Sequence, residues 1–352
     1  MKDNVIEIDG RRIGPGYRPY IVAEMSANHN GTLEGALAIV DAAKAAGADA
    51  VKMQTYTADT ITIDHDAPQF LIKGGLWDGR RLHELYEEAH TPWDWHEPIF
   101  RRAKELGITI FSAPFDLSAV DLLESLGAPA YKIASFELVD IPLVERVAAT
   151  GKPVILSTGM ANLDEIEDAV LAARGAGDGG VLLLHCVSGY PAPAEESNLR
   201  TIAHLRDTFD CVVGLSDHTL GAAVAVASVA FSASLIEKHF TINRKDGGLD
   251  STFSLEPSEL KTLVADAHTA WAASGSVDYA VKSSERENRG LRRSLYVVKE
   301  IAEGEIFTIE NVRSIRPGGG LAPKHLPDIL GKHAQRRLER GDPLDWLAVN
   351  PA

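Results

Sequence analysis

The strongest constraint on this chain is a rhythm. From Tyr20 to about Gly275, a short apolar or β-branched run is followed by a polar loop and then by an amphipathic stretch rich in Ala, Leu and Glu. Strand-type runs fall at residues 20–23, 50–53, 109–111, 130–133, 154–156, 181–184, 212–215 and 235–236. Between them lie helix-type stretches at 33–46, 92–106, 117–126, 163–174 and 222–231. Leu33, Leu37 and Val40 have the spacing that gathers apolar groups on one helix face. Thr91 before Pro92 predicts a helix start, with Thr as the cap and Pro in the first turn. Strands that alternate with helices pair in parallel, because each return needs a crossover. About eight such units in about 260 residues predict a closed (β/α)8 TIM barrel. An open doubly wound sheet would carry a GxGxxG turn after its first strand, and none follows residues 20–24.

The rhythm then stops. Residues 274–290 are polar and charged, and beyond them come short β-type runs at 294–298 and 312–315, with turn signals at Glu303-Gly304, 317–320 and Gly341-Asp342-Pro343. The expected organisation is a catalytic barrel over 1–275, a linker over 276–290 and a small β-rich domain over 291–352.

Composition narrows the partners. Lys and Arg total 35 against 50 Asp and Glu, a formal charge of -15, which repels nucleic acid and anionic lipid. The two cysteines, Cys186 and Cys211, form no CxxC pair, no apolar run opens the chain, and none is long enough to span a bilayer. A cytoplasmic protein with no nucleic-acid or membrane partner is expected.

In a barrel of this kind, the C-terminal strand ends converge on one mouth. Those ends carry Glu24, Lys52 and Gln54, Ser112, Lys132 and Ser135, Ser157 and Thr158, then His185, Ser188 and Tyr190. The last two strands end in Ser216-Asp217-His218 and Glu237-Lys238-His239. One such residue has a bland explanation; a polar group at nearly every strand end points to an active site. His218 and His239 close neighbouring strands and suit a divalent first-row metal, with a carboxylate or water completing its shell; Glu24 is the nearest carboxylate candidate. Lys52 and Lys132 imply an anionic ligand or a Schiff base. Ser112, Ser135 and the Ser157-Thr158-Gly159 turn offer hydroxyls and N–H groups suited to phosphate. The long 55–90 loop, with Lys73, Arg80 and Arg81, is suited either to covering the mouth or to packing on another subunit. Cys186 reads as a small core or rim residue rather than a nucleophile.

Several segments together carry a family resemblance. Ala23-Glu24-Met25-Ser26-Ala27-Asn28-His29-Asn30-Gly31, Lys52-Met53-Gln54-Thr55, Tyr131-Lys132-Ile133-Ala134-Ser135, Ser157-Thr158-Gly159-Met160, Gly214-Leu215-Ser216-Asp217-His218-Thr219 and Glu237-Lys238-His239-Phe240-Thr241 resemble the sialic acid synthase family. Arg292-Arg293-Ser294-Leu295 and Arg316-Pro317-Gly318 resemble its C-terminal antifreeze-like (SAF, β-clip) domain. Within the family, residues 55–60, Thr91-Pro92-Trp93 and Ser135-Phe136-Glu137 are most similar to the pseudaminic acid branch. The resemblance implies a divalent metal (Mn2+, Mg2+ or Co2+) on His218 and His239, with Glu24 touching a metal-associated water. It implies phosphoenolpyruvate on Lys52, Lys132, Ser135, Ser157 and Ser216, and a sugar facing Gln54, Tyr190 and Asp250. Arg316 would reach the mouth of a partner in a domain-swapped homodimer. Two departures stand out. Ala113 replaces a frequent Thr, so that a phosphate hydroxyl is missing or comes from Ser112, and Ser188 replaces an Asn of the neuraminic enzymes, which suits a different sugar.

The implied reaction is a metal-dependent condensation of phosphoenolpyruvate, water and an amino-sugar aldehyde, 2,4-diacetamido-2,4,6-trideoxy-L-altrose, with C–O cleavage. A mannose-type sugar, as in neuraminate or legionaminate synthesis, is the alternative. Two rivals remain: a Schiff-base pyruvate aldolase using Lys52 or Lys132, and a carbohydrate- or ice-binding protein built on the small domain.

Overall fold

The computed structural model describes residues 4–350. Met1–Asp3 and the last two residues, at the ends of the expected barrel and small domain, lie outside the described residues. The chain divides into two compact units, Met1–Gly275 and Ser276–Ala352.

The first unit opens with an antiparallel hairpin of β1 (Ile6–Ile8) and β2 (Arg11–Ile13). Asp9 and Gly10 turn it with φ of 49° and 76°, the left-handed pair a two-residue hairpin needs. The barrel strands follow as β3 (Tyr20–Glu24), β4 (Ala50–Thr55), β5 (Thr109–Pro114), β6 (Tyr131–Ile133), β7 (Val154–Ser157), β8 (Val181–Cys186), β9 (Val212–Asp217) and β10 (Leu235–His239). They close in the order β10-β3-β4-β5-β6-β7-β8-β9, every neighbour parallel. This is the expected (β/α)8 TIM barrel.

Around it run α1 (Leu33–Ala46), α2 (Ala58–Ile61), α3 (Leu82–Ala89), α4 (Trp93–Leu106), α5 (Leu117–Ser125), α6 (Ile141–Ala148), α7 (Leu163–Ala176), α8 (Arg200–Phe209), α9 (Ala223–Ser228) and α10 (Pro257–Ser274). Their starts are encoded locally. Thr32 accepts the Gly35 N–H, Asp116 those of Ser118 and Ala119, and Asn162 forms a capping box with Glu165. The expected Thr91 cap does not form. Pro92 holds an extended ψ of 139° and itself occupies the cap position, so α4 begins at Trp93 and Thr91 is simply buried.

Strand alternation sorts the side chains. Ile21, Ala23, Val51, Met53, Leu183 and Val213 face the helices in one apolar layer. Tyr20, Val22, Ala50, Phe111, Ala130, Ile155, Leu182, Leu184, Val212 and Leu235 fill the lumen together with Ile6, Ile8 and Ile13 of the hairpin. The hairpin therefore plugs the N-terminal end of the barrel. At the other end, most strands run past the apolar stretches that predict them, through Glu24, Thr55, Pro114, Ser157, Cys186, Asp217 and His239. The backbone ladder continues there while the side chains change character.

In the second unit, β11 (Ser294–Val297) pairs antiparallel with β12 (Val312–Ile315). Bridges at Ile301–Leu338, Ile306–His333 and Ala334–Val349 extend this irregular β-structure. Leu295, Val297, Ile301, Phe307, Val312, Leu338 and Leu344 form its core beside the short helix α11 (Leu326–Ile329). Residues 276–290 are exposed throughout. Among the described residues, no helix is long and apolar enough to cross a membrane.

Candidate active site

A cavity of about 790 Å³ opens at the C-terminal ends of the strands of the first unit. On its floor, Glu24, Lys52, Lys132 and Glu237 point inward from four strands, none more than 6% exposed. Lys52 Nζ lies 2.8 Å from Glu24 Oε2 and 3.6 Å from Glu237 Oε1. Lys132 Nζ also lies 3.6 Å from Glu237 Oε1, and Ser216 Oγ donates to that same oxygen at 3.0 Å. From Glu24 the network continues: Gln54 Nε2 donates to Glu24 Oε1 (2.9 Å) and to Ser26 Oγ (3.1 Å), and Ser26 Oγ donates to Asp250 Oδ2 (2.5 Å). Asp250 Oδ2 stands 3.7 Å from His239 Nδ1. One connected set of polar groups thus joins both lysines to one of the histidines.

Burial of four ionisable groups is costly unless they compensate one another. Burial alone would lower the Lys52 pKa, but Glu237 and Glu24 outweigh it and hold the ammonium charged. Burial would raise Glu237, and Lys132, Lys52 and the Ser216 hydroxyl bring it below the usual carboxylate range. At Glu24 burial wins over Lys52, so this carboxylate takes up a proton more readily than its neighbour.

His218 and His239 face each other across β9 and β10, with ring centroids 5.3 Å apart. His218 Nδ1 donates to Val187 O at 2.8 Å, so Nε2 is the ring nitrogen left to a ligand. Burial, followed by the charges of His218, Lys52 and Lys132, holds His239 well below the usual imidazole pKa, and its Nδ1 is buried without a hydrogen-bond partner. Two buried imidazoles, one with an orphaned ring nitrogen, fit a divalent ion whose remaining positions are filled by water or substrate. No group of three or more His, Cys, Asp or Glu suited to a metal occurs among the described residues. Glu24 is engaged by Lys52 (2.8 Å) and Gln54 (2.9 Å).

The two histidines are held from behind. Lys238, between Glu237 and His239, points out of the lumen and donates to Asp217 Oδ2 (2.8 Å) and to Thr219 O. Asp217 Oδ1 accepts the Thr219 N–H, so both residues flanking His218 are fixed to the neighbour of His239.

Ser135, Ser188, Tyr190 and Asp250 line the cavity, as does Gln54. Gly159 N donates to Ser135 Oγ at 3.2 Å, and a Cβ on Gly159 would come within 2.2 Å of Ser188 Oγ. Only glycine lets these two hydroxyls close on the turn after β7. Ser157 is wholly buried beneath that turn, its Oγ without a partner. The Tyr190 ring packs at a tilt against His218, centroids 4.3 Å apart.

The structure places several of the expected residues away from the cavity. Ser112 is absent from the cavity lining. It alternates with Phe111 and Ala113, which face inward, and so turns outward to hydrogen-bond Thr55 Oγ1 (2.6 Å) and Met53 O (3.1 Å). His185 faces outward for the same reason and meets Ser197 O. Ser157 and Ser216 are likewise absent from the lining, but their strand parity points them inward. Of the loop cations, Lys73 lines the cavity, whereas Arg80 is spent on Glu88 and Arg81 on Asp64, Asp66 and Glu84. Arg316 lies in the second unit, exposed, and is not among the lining residues.

Two carboxylates named in the sequence were given no role there. Glu237 was legible from parity, since it precedes His239 by two residues on one strand. Glu137 lines the cavity after β6, and burial, opposed by Lys132, pushes its pKa up to about 7. Cys186 also lines the cavity, 3.8 Å from His218 Nδ1.

Comparison with known proteins places this geometry. The NeuB family model matches residues 39–279, and the SAF domain model matches 292–350. A protein named pseudaminic acid synthase from Campylobacter jejuni is 44% identical over 325 residues, 92% of this chain and 95% of the relative. One of the same name from Helicobacter pylori is 42% identical over 327 residues, 93% of this chain and 96% of the relative. The crystal structure of an N-acetylneuraminic acid synthetase from Leptospira borgpetersenii superposes with a TM-score of 0.73 at 31% identity, covering 81% of this chain and 95% of that one.

Proposed function

The chain belongs to the NeuB family, and we propose that it condenses phosphoenolpyruvate with 2,4-diacetamido-2,4,6-trideoxy-L-altrose and water to give pseudaminic acid and phosphate. The observation that carries this is the meeting of the Lys52–Glu237–Lys132 floor with two imidazoles in one cavity. Relatives named pseudaminic acid synthase, at 42–44% identity, favour this sugar over the mannose-type one, since a relative named N,N'-diacetyllegionaminic acid synthase, from Campylobacter jejuni, is 38% identical.

His218 and His239 would hold a divalent metal (Mn2+, Mg2+ or Co2+), which when bound would supply Lewis-acid polarisation of the sugar aldehyde oxygen. Lys52 and Lys132 bind the carboxylate and phosphate of phosphoenolpyruvate, aided by Ser135, Ser157, Ser216 and the Gly159 N–H. Carbon 3 attacks the aldehyde carbon and positive charge develops at carbon 2. A water then adds there as its proton passes to Glu24, the floor carboxylate whose burial favours protonation, and that proton is then given to the alkoxide formed from the aldehyde oxygen. The resulting hemiketal phosphate loses phosphate by C–O cleavage. Gln54, Ser188, Tyr190 and Asp250 orient the sugar.

A Schiff base on either lysine is disfavoured, because both amines lie against Glu237 and Lys52 is held charged. Borohydride with pyruvate leaves activity intact on this account, while a chelator abolishes it. The protein acts in the cytoplasm as a homodimer, with residues 276–290 as the linker and Arg316 of one copy reaching the mouth of the other. Phe136, Val139, Met160 and Leu220, in loops that follow the barrel strands, are 59–66% exposed, an apolar rim suited to a covering partner.

The test is phosphate release from phosphoenolpyruvate with three sugars: the altrose-type diacetamido sugar, its mannose-type isomer and N-acetylmannosamine. Turnover with the first is expected. Turnover with N-acetylmannosamine alone would overturn the sugar assignment and leave the family intact.

A further inference from the structure

The cavity is lined by two unlike sets of residues. Its floor is ionic, whereas the segment between β4 and α4 adds the apolar groups Ile61, Ile72, Leu76, Trp77, Leu85 and Tyr86 to its lining. Lys73 is the one charged residue this segment adds to the lining, among the described residues. The segment is folded rather than loose. Ile72 N donates to Arg80 O and Gly79 N to Ile72 O, both at 2.9 Å, closing a small hairpin. Gly74 and Gly75 turn it with φ of 77° and 75°, and Arg81 ties its base to Asp64 (3.0 Å) and Asp66 (2.9 Å). At its tip the Trp77 ring sits 5.9 Å from that of Tyr190, and Leu76 remains 47% exposed although it faces the cavity.

An anion bound on the lysines has no use for such a wall. A ligand touching both needs an oxygen-rich reacting end and an apolar far end. We infer that the 71–81 hairpin, through Leu76 and Trp77, makes the site selective for acylated, deoxygenated amino sugars by burying their methyl groups. This deepens the function proposed above and rests on it: the diacetamido trideoxy sugar carries two acetamido methyls and a C6 methyl. Apolar walls gain from each methyl they cover, and they penalise a hydroxyl that finds no partner there.

The experiment measures kcat/KM for the parent chain, Trp77→Ala and Leu76→Ser with two acceptors, the 6-deoxy diacetamido altrose and its counterpart bearing a C6 hydroxyl. Leu76→Ser alters a half-exposed position, so its folding is not at risk. In both variants the KM for the 6-deoxy sugar should rise about tenfold, its advantage over the hydroxylated one should fall by a similar factor, and the KM for phosphoenolpyruvate should stay within about twofold. Equal losses for both sugars, or an unchanged sugar KM, would overturn the inference alone. A parent chain that turns over N-acetylmannosamine but neither diacetamido sugar would overturn the functional reading and this inference with it.

Discussion

The two ends of one barrel follow opposite rules. At the N-terminal end, Ile8, Ile13, Tyr20, Val22, Phe111 and Leu182 fill the lumen with apolar groups. At the C-terminal end, the same alternation on the same strands presents Glu24, Lys52, Lys132 and Glu237, nearly as buried. Backbone pairing is continuous from one to the other, so the contrast lies wholly in the side chains. Apolar packing lowers the folding free energy outright. A buried charge cluster at best offsets its own desolvation, and well-packed hydrophobic replacements are often more stable. The ionic end is maintained for the anion it receives.

The contrast makes the ends separable by mutation. Lys132→Met should cut kcat/KM at least about 10³-fold, because the group that stabilises developing phosphate charge is removed. Circular dichroism should still show a folded barrel, since Glu237 keeps Lys52 and Ser216 as partners. At the other end, Ile8→Ala should cost about 2–5 kcal/mol in urea unfolding and leave kcat/KM unchanged at temperatures where the chain is folded. Large losses of activity from Ile8→Ala, or of stability alone from Lys132→Met, would erase the distinction.

A smaller effect tests the strand parity that divides the mouth from its surroundings. Ser135→Ala should raise the KM for phosphoenolpyruvate about tenfold, whereas Ser112→Ala, facing Thr55 and away from the cavity, should change it by less than about twofold. Equal effects would return Ser112 to the site.

The smallest effect is a pH dependence. Burial raises the Glu137 carboxyl to about 7 in the fold, against an ordinary carboxylate in the unfolded chain. Between about pH 4.5 and 7 the unfolded state ionises first, so this residue withdraws stability as pH rises through that window. Glu137→Gln should therefore flatten the loss, gaining relative stability above pH 7 in denaturant titrations at several pH values. A parallel pH profile for parent and variant would exclude the buried acid.

Much of this was legible in the sequence. Alternating strand and helix signals gave the closed barrel, and the polar strand ends named most of the mouth. Strand ends were less legible, because apolar runs stop before the ladder does. Stopping β10 at Ile236 left Glu237 without a role, and judging β5 by composition rather than parity overlooked that Ser112 turns outward. The Ile6–Ile13 hairpin escaped because its strands are only 3 residues each, although Asp9-Gly10 between isoleucines was the signal. Helix α3 lay hidden in what read as a long loop, whose arginines turned out to be structural.

The central claim is that the ionic floor and the two imidazoles carry out one condensation with C–O cleavage. Phosphoenolpyruvate labelled with oxygen-18 in the bridging position tests it most directly, by mass analysis of both products. The label should leave with inorganic phosphate; its retention in the sugar would contradict the account.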